Sequence, residues 1–274
     1  MHPYFTILGR DFSAYSLMLT LGIGAGFLVL FWRCKQTRSE MTDPFLVGCI
    51  ALAGAIIGAV LIRPITKVPE LIIHWEQAME TPTGELLSWL FGELVFYGGL
   101  IGGVLAALWY CRKFKVRFLP IADLFAAAIP VGHAFGRIGC FLGGCCYGME
   151  VGHDHPFCVI YPARTDGLSG VAAPPGVPLL AVPLIESAGN LVIAAIIILF
   201  QRFKPRTGQS IALYGLLYGT QRFVLEFFRG DVVRGVYNGL STSQYISLGI
   251  FVLSAALFFL PIWKEKRAGK QPED

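Results

Sequence analysis

Charged side chains are scarce in this sequence. Asp, Glu, Lys and Arg together make up 15% of its 274 residues, where a soluble domain averages about 25%. There is no Gly-rich phosphate loop of the nucleotide-binding type, no tandem repeat and no low-complexity tract, so nothing signals a nucleotide-driven or repeat architecture. No small-residue cleavage pattern follows the first apolar run, which starts only at Tyr15. That run therefore reads as a retained helix and not as a signal peptide. The net charge of +4 is modest. In an apolar chain such a charge reflects cytoplasmic loops, so no nucleic-acid partner is inferred from it.

What is present is apolar. Hydrophobic residues make up 55% of the chain and the mean hydropathy is +0.62. Apolar runs of about 20 residues recur, the length needed to cross a bilayer core. Seven spans are read: Tyr15 to Trp32, Phe45 to Ile62, Leu86 to Tyr110, Phe118 to Phe141, Pro178 to Phe200, Ser210 to Phe228 and Gln244 to Trp263. Basic clusters follow the odd-numbered spans: Arg33, Lys35 and Arg38; Arg112, Lys113, Lys115 and Arg117; Arg202, Lys204 and Arg206; Lys264, Lys266, Arg267 and Lys270. By the positive-inside rule the N-terminus lies outside and the C-terminus in the cytoplasm. The expected fold is all-α and integral to the membrane, one transmembrane domain over residues 1–274. Two segments stand apart from the spans. Residues 65–84, with Glu70, Glu76, Glu80 and Trp75, read as an interfacial arm. Residues 143–177 read as an extracytoplasmic Cys/His loop.

The polar chemistry concentrates between His133 and Gly148, sixteen residues with one His, one Arg, three Cys and five Gly. A bilayer tolerates such residues where they line a polar cavity. The other polar positions inside spans are Tyr97, Glu186, Arg222 and Glu226. A charge near the bilayer centre costs roughly 2.5 to 3.5 kcal/mol on insertion scales. Arg222 and Glu226 are four apart on one helix face and can pair, and Arg137 and Glu186 can pair between helices. Structural ion pairs are one reading. The other is an anion site, because the planar guanidinium fork grips two phosphate oxygens and stays charged when desolvated.

Half of all the cysteines and histidines lie in one short segment: Cys140, Cys145, Cys146, His153, His155 and Cys158. Three readings stay open for the thiols. A disulfide is possible on the extracytoplasmic side, with Cys140 or Cys158 a better partner than adjacent Cys145 and Cys146. A metal or redox site is the second, with Cys140, Cys145, Cys146 and Cys158 as weak candidate ligands. Buried structural cysteines are the third.

Taken in order on their spans, these motifs resemble the bacterial prolipoprotein diacylglyceryl transferases. The family signature Gly-Arg-x-Gly-Asn-Phe-x-Asn-x-Glu-x-x-Gly stands here as Gly136-Arg137-Ile138-Gly139-Cys140-Phe141-Leu142-Gly143-Gly144-Cys145-Cys146-Tyr147-Gly148. The family's His-Gly-Gly-Leu-Ile-Gly is Tyr97-Gly98-Gly99-Leu100-Ile101-Gly102. Leu184-Ile185-Glu186 is similar to its Leu-Tyr-Glu, the stretch Arg222 to Arg229 to its Arg-x-x-x-Glu-Phe-Phe-Arg, and Ser243-Gln244 to its Ser/Gly-Gln. The resemblance covers about residues 10 to 265. It implies transfer of the diacylglyceryl group of phosphatidylglycerol to the lipobox cysteine in the signal peptide of a prolipoprotein. The enzyme would be a monomer in the bacterial cytoplasmic (inner) membrane, its active site toward the extracytoplasmic leaflet, with no cofactor. Under this reading Arg137 and Arg222 bind phosphate, Glu226 and Glu186 orient them, and Tyr97 or His133 handles the proton. Gly98, Gly99, Gly136, Gly139, Cys140, Cys145, Gly148 and Gln244 lie along the substrate. The chain departs from the pattern where Tyr97 stands for the family His, Cys140 for an Asn, Cys145 for a Glu, and Leu180-Ala181 for the His-Pro that precedes Leu-Tyr-Glu. A membrane thiol oxidoreductase or metal-handling paralogue on the same scaffold is the alternative reading.

Overall fold

In a computed structural model of the chain, the described residues are 4–7, 10–73, 75, 96–162, 173–231 and 236–268. Eight helices occur among them: α1 (Ala14–Thr37), α2 (Thr42–Ile73), α3 (Phe96–Lys113), α4 (Phe118–Phe125), α5 (Ala128–Leu142), α6 (Val182–Gln201), α7 (Gln209–Glu226) and α8 (Thr242–Ala268). Four of these are long and apolar enough to cross a membrane, namely α1, α2, α6 and α8. The pair α4 and α5 makes a fifth candidate if it counts as one span bent by 45°. Large side chains such as Leu28 (71% exposed) and Leu253 (73%) point outward from their helices. A surface this apolar belongs against lipid and not water. The chain is a multi-pass, helix-rich membrane protein.

The chain divides into two units, residues 38–121 and residues 1–37 with 122–274. In the first, α2 packs along α3. Gly54 and Gly58 meet Gly102 and Gly98 so closely that a Cβ on any of them would run into the facing helix. Without a hydrophobic drive between helices in lipid, backbone contact of this kind is what binds them. Tyr110 adds a hydrogen bond to Asp43 Oδ1 at 3.0 Å. Helix α2 continues without a break through residues 65–73 of the segment read as an interfacial arm. Residues 76–84 lie outside the described residues.

In the second unit α1 packs on α5, α5 on α6, α6 on α7 and α7 on α8. The α1–α5 contact is again built on small residues. A Cβ on Gly22 would stand 2.8 Å from Phe135 Cβ, and one on Gly139 would stand 3.1 Å from the Tyr15 ring. The expected fourth span is broken at Ala126 and Ala127. Both are fully buried against Ile193 and Ile197 of α6. Asp123, at the end of α4, accepts backbone hydrogen bonds from Gly208 (2.6 Å) and Ile211 (3.0 Å). Its carboxylate thereby satisfies amides that the first turn of α7 cannot pair internally.

Short antiparallel strands close the ends: β1 (Tyr4–Ile7) with β2 (Arg10–Ser13), β3 (Cys158–Ile160) with β4 (Pro178–Leu180), and β5 (Val236–Tyr237) with β6 (Leu240–Ser241). The fifth span was read from Pro178, but residues Pro178–Leu180 form a strand paired to Cys158–Ile160 and α6 starts at Val182. Pro183 in its first turn explains the late start, since proline fits where amides have no helical partner.

Candidate active site

Helices α5, α6, α7 and the start of α8 each send a polar group toward one region of the second unit. Arg137 on α5 places Nη2 3.0 Å from Glu186 Oε1 on α6, and the Glu186 side chain is 1% exposed. Tyr218 on α7 takes a further hydrogen bond from Arg137. The backbone carbonyl of Glu186 accepts from Asn190 Nδ2 (2.9 Å) and Gln221 Nε2 (3.0 Å), which pins α6 to α7 at this level. Neither carboxylate oxygen of Glu186 has a hydrogen bond of good geometry among the described residues. Its charge is balanced by Arg137 through proximity alone.

One turn from the end of α7, Arg222 Nη2 sits 2.8 Å from Glu226 Oε2 and donates to Ser243 Oγ at 3.2 Å. Glu226 Oε1 accepts from Ser241 Oγ at 2.8 Å. Arg229 grips Asp231 with two bonds of 2.8 and 2.6 Å and lies 3.9 Å from Glu226. Arg137 and Arg229 both act electrostatically on Arg222. Three guanidinium groups thus share one region. Arg222 Nη1 and Arg229 Nη1 are buried and have no hydrogen-bond partner among the described residues. A buried, unused donor on a charged group is costly, and an anion placed between the arginines would satisfy both.

The thiols gather beside these arginines. After α5 the chain reverses through Gly144 (φ +68°) and Cys146 (φ +59°). Cys145 N–H bonds back to the Cys140 carbonyl at 3.1 Å. The Sγ atoms of Cys140, Cys145 and Cys146 all lie within 4.8 Å of one another. Every cysteine is a free thiol. Hydrogen bonds from Cys140 and Cys145 hold the Cys146 sulfur below the ordinary thiol range, against its burial, and Arg229 and Arg137 reinforce this. Hydrogen bonds with Cys140 and Cys146, and then burial, hold Cys145 above that range. Burial works against the charge of Arg229, yet Asp231 and Cys146 more than offset it and raise it above the ordinary value. Tyr161 covers the turn. Its hydroxyl is pushed upward by burial first and then by the three sulfurs, and it is buried with no hydrogen-bond partner among the described residues.

Backbone pairing fixes this arrangement. Gly148 N–H donates to Leu180 O at 3.0 Å, Met149 N–H to Phe228 O at 2.8 Å and Gly230 N–H to Tyr147 O at 3.2 Å. A Cβ on Gly148 would meet the Leu180 carbonyl at 2.6 Å, so only glycine fits. The loop carrying Cys146 is therefore stitched to the segment carrying Arg229.

The remaining expected residues are placed as follows. His133 Nδ1 is 3.0 Å from the Tyr214 hydroxyl and its ring lies against Tyr218, 5.2 Å between centroids. Gln244 forms a reciprocal cap with Ser241. Its Oε1 accepts the Ser241 N–H at 2.9 Å and its own N–H donates to Ser241 Oγ at 3.2 Å, which opens α8. Gln244 Nε2 is buried with no partner among the described residues. Gly139 packs against Tyr15 and Met18, Gly98 against Gly58 and Ile62, and Gly99 against Ala55. Helix packing accounts for all three. Beside Gly136 there is open space. Tyr97 lies in α3, but its side chain is outside the described ones. Cys158 sits in β3, paired to Leu180, and does not join the thiol trio. Sequence reasoning passed over Arg229, Tyr218 and Ser241 as site residues. Arg229 could have been found as the last residue of the Arg-x-x-x-Glu-Phe-Phe-Arg stretch. Tyr218 carried no signal.

A family model described as prolipoprotein diacylglyceryl transferase matches residues 3–260. The phosphatidylglycerol–prolipoprotein diacylglyceryl transferase of Clostridium tetani is 31% identical over 259 residues, covering 93% of this chain and 97% of its own. A second such transferase, from Clostridium perfringens, is 32% identical over 261 residues, with 95% and 94% covered. That of Acinetobacter baumannii is 32% identical over 217 residues, with 78% and 74% covered. With one family model and full-length relatives agreeing over nearly the whole chain, this protein belongs to the prolipoprotein diacylglyceryl transferase family.

Proposed function

We propose that the chain transfers the diacylglyceryl group of phosphatidylglycerol to the cysteine thiol of a prolipoprotein lipobox, the first step of lipoprotein maturation. The observation that carries this reading is the cluster of Arg137, Arg222 and Arg229, in which two buried Nη1 groups have no acceptor among the described residues. The acceptor thiol gives up its S–H proton to a base, and the resulting sulfur attacks the glyceryl carbon bonded to phosphate. An S–C bond forms, the C–O bond breaks, and glycerol phosphate leaves with the electron pair. Charge develops on the leaving oxygen, and fixed guanidinium donors stabilise that charge more in the transition state than in the ground state. Glu186 and Glu226 hold the arginines in place and keep the region near neutrality before the lipid arrives.

The enzyme works as a monomer in the bacterial cytoplasmic membrane, with phosphatidylglycerol and the signal peptide as its partners. Seven spans, N-terminus out, put the Cys140–Cys146 turn on the extracytoplasmic side. The placing of basic residues after odd-numbered spans supports this orientation. The relatives named above are transferases, and none is a thiol oxidoreductase or a metal-handling protein.

The test is a reconstituted assay with purified protein, phosphatidylglycerol labelled in its acyl chains and a lipobox peptide. Label on the peptide together with released glycerol phosphate is the expected result. Labelled lipid bound without either product would leave only a lipid-binding protein.

A further inference from the structure

We propose that Cys140, Cys145 and Cys146 form a three-thiolate site for a thiophilic divalent ion of the zinc type, whose open fourth position takes the acceptor cysteine. The site rests on geometry. The three sulfurs already lie within 4.8 Å of one another. Around a tetrahedral zinc with Zn–S bonds of about 2.3 Å, sulfurs stand about 3.8 Å apart. An inward movement of about 1 Å or less per pair completes the set. Among the described residues no protein ligand of the usual kind joins them for a fourth place: Cys158 is elsewhere, and His153 and His155 are exposed on the loop. Three protein ligands and one open position is the pattern of a catalytic zinc, not a structural one.

Two further observations point to a ligand there. The Tyr161 hydroxyl is buried over the turn and has no partner among the described residues. It can donate to a metal-bound sulfur, the outer contact that thiolate sites use to tune charge. The charges also match. Three thiolates on a divalent ion leave one net negative charge, and the acceptor thiolate adds a second. Arg137 and Arg229, each also paired with a carboxylate, stand beside the sulfurs and lower the cost of that charge.

This inference rests on the transferase reading, and it answers a need within it. The acceptor thiol must lose a proton, yet the basic groups described around it are occupied. His133 is bonded to Tyr214, Glu186 is paired with Arg137, and Glu226 with Arg222. Coordination removes the difficulty, because a metal-bound thiol is deprotonated outright. The acceptor S–H proton passes to water as the metal–sulfur bond forms. That sulfur then attacks the glyceryl carbon, and the phosphate leaves toward the arginines. The thioether product is uncharged and a poorer ligand, so it departs.

The experiment uses the full chain in detergent, stripped with a chelator and titrated with cadmium(II) alone. Cadmium–thiolate absorption in the ultraviolet should saturate at one ion per chain. It should be lost in Cys140→Ser, Cys145→Ser and Cys146→Ser, and kept in Cys158→Ser and Cys49→Ser. A lipobox peptide with cysteine should increase the absorption, and the same peptide with serine should not. Lipid transfer should vanish in stripped protein and return with zinc(II). Wild-type protein that binds no cadmium, or stripped metal-free protein that transfers at the full rate, would overturn the proposal. Stoichiometric cadmium on the three thiols with no transfer in any metal state would instead strike the transferase reading and leave the site standing.

Discussion

Arg222 and Glu226 are paired one turn apart on α7 at 2.8 Å, yet Arg222 retains a second, buried Nη1 for which no acceptor stands among the described residues. The pair orients the guanidinium without exhausting it. Arg222→Lys should therefore lose lipid transfer, since an ammonium cannot serve Glu226, Ser243 and an anion in one plane. Arg137→Ala and Arg222→Ala should abolish transfer while the protein still elutes as a folded species in detergent. Wild-type rates in the lysine variant would remove anion clamping as its role.

Glu226→Ala should act on stability as well as rate. Removing one partner of a buried ion pair costs about 3 to 5 kcal/mol, and both side chains here are under a tenth exposed. The thermal midpoint in detergent should fall clearly below that of Glu226→Gln, which can still accept from Ser241. Equal midpoints for the two variants would show that the bond from Ser241 adds nothing, and a wild-type midpoint in Glu226→Gln would contradict a stabilising charge.

Ser241→Ala removes the cap of α8 and the donor to Glu226 Oε1 together. Loss of such a cap costs about 1 kcal/mol. The variant should show a modest drop in midpoint with a larger drop in transfer, because Ser243, one turn-start away, holds Arg222. A drop in stability with unchanged transfer would separate the cap from the site.

Glycines of the same sequence family of positions should behave oppositely. Gly98→Ala drives a methyl into Gly58 and Ile62 and should destabilise the α2–α3 pair. Gly136→Ala meets nothing within 4 Å, so its midpoint should stay at the wild-type value or rise through helix propensity. Any loss of transfer in Gly136→Ala is then read as lost room for substrate.

Orientation is tested with a reporter fused after Lys270. Activity in the cytoplasm is expected, and activity on the outer side would reject the N-out arrangement.

Much of this molecule was legible before its fold. Apolar runs of bilayer length mark α1, α2, α6 and α8, because lipid imposes both composition and length on a span. Arg137, Glu186, Arg222 and Glu226 stood out because charge is so rare in such runs. The break at Ala126 and Ala127 did not, since neither residue resists helix. Both alanines lie buried in a cluster with Ile193 and Ile197, a contact made between helices far apart in sequence. The hairpin of β3 and β4 was hidden for the same reason: Leu179 and Leu180 read as part of an apolar run until strand pairing claims them. The cysteines were visible as a concentration, but their convergence depends on two left-handed backbone positions that spacing alone does not announce.

The stitching around Gly148 has a mechanical consequence. Four backbone hydrogen bonds join Tyr147 to Met149 with Phe228 to Gly230 on one side and Leu180 on the other. Prising that wall apart would break all four together and would drag Cys146 away from Arg229. Beside Gly136 on α5, by contrast, a Cβ would meet nothing within 4 Å. The stitched wall therefore moves as one piece, and Cys146 and Arg229 keep their spacing through any displacement that leaves those four bonds intact.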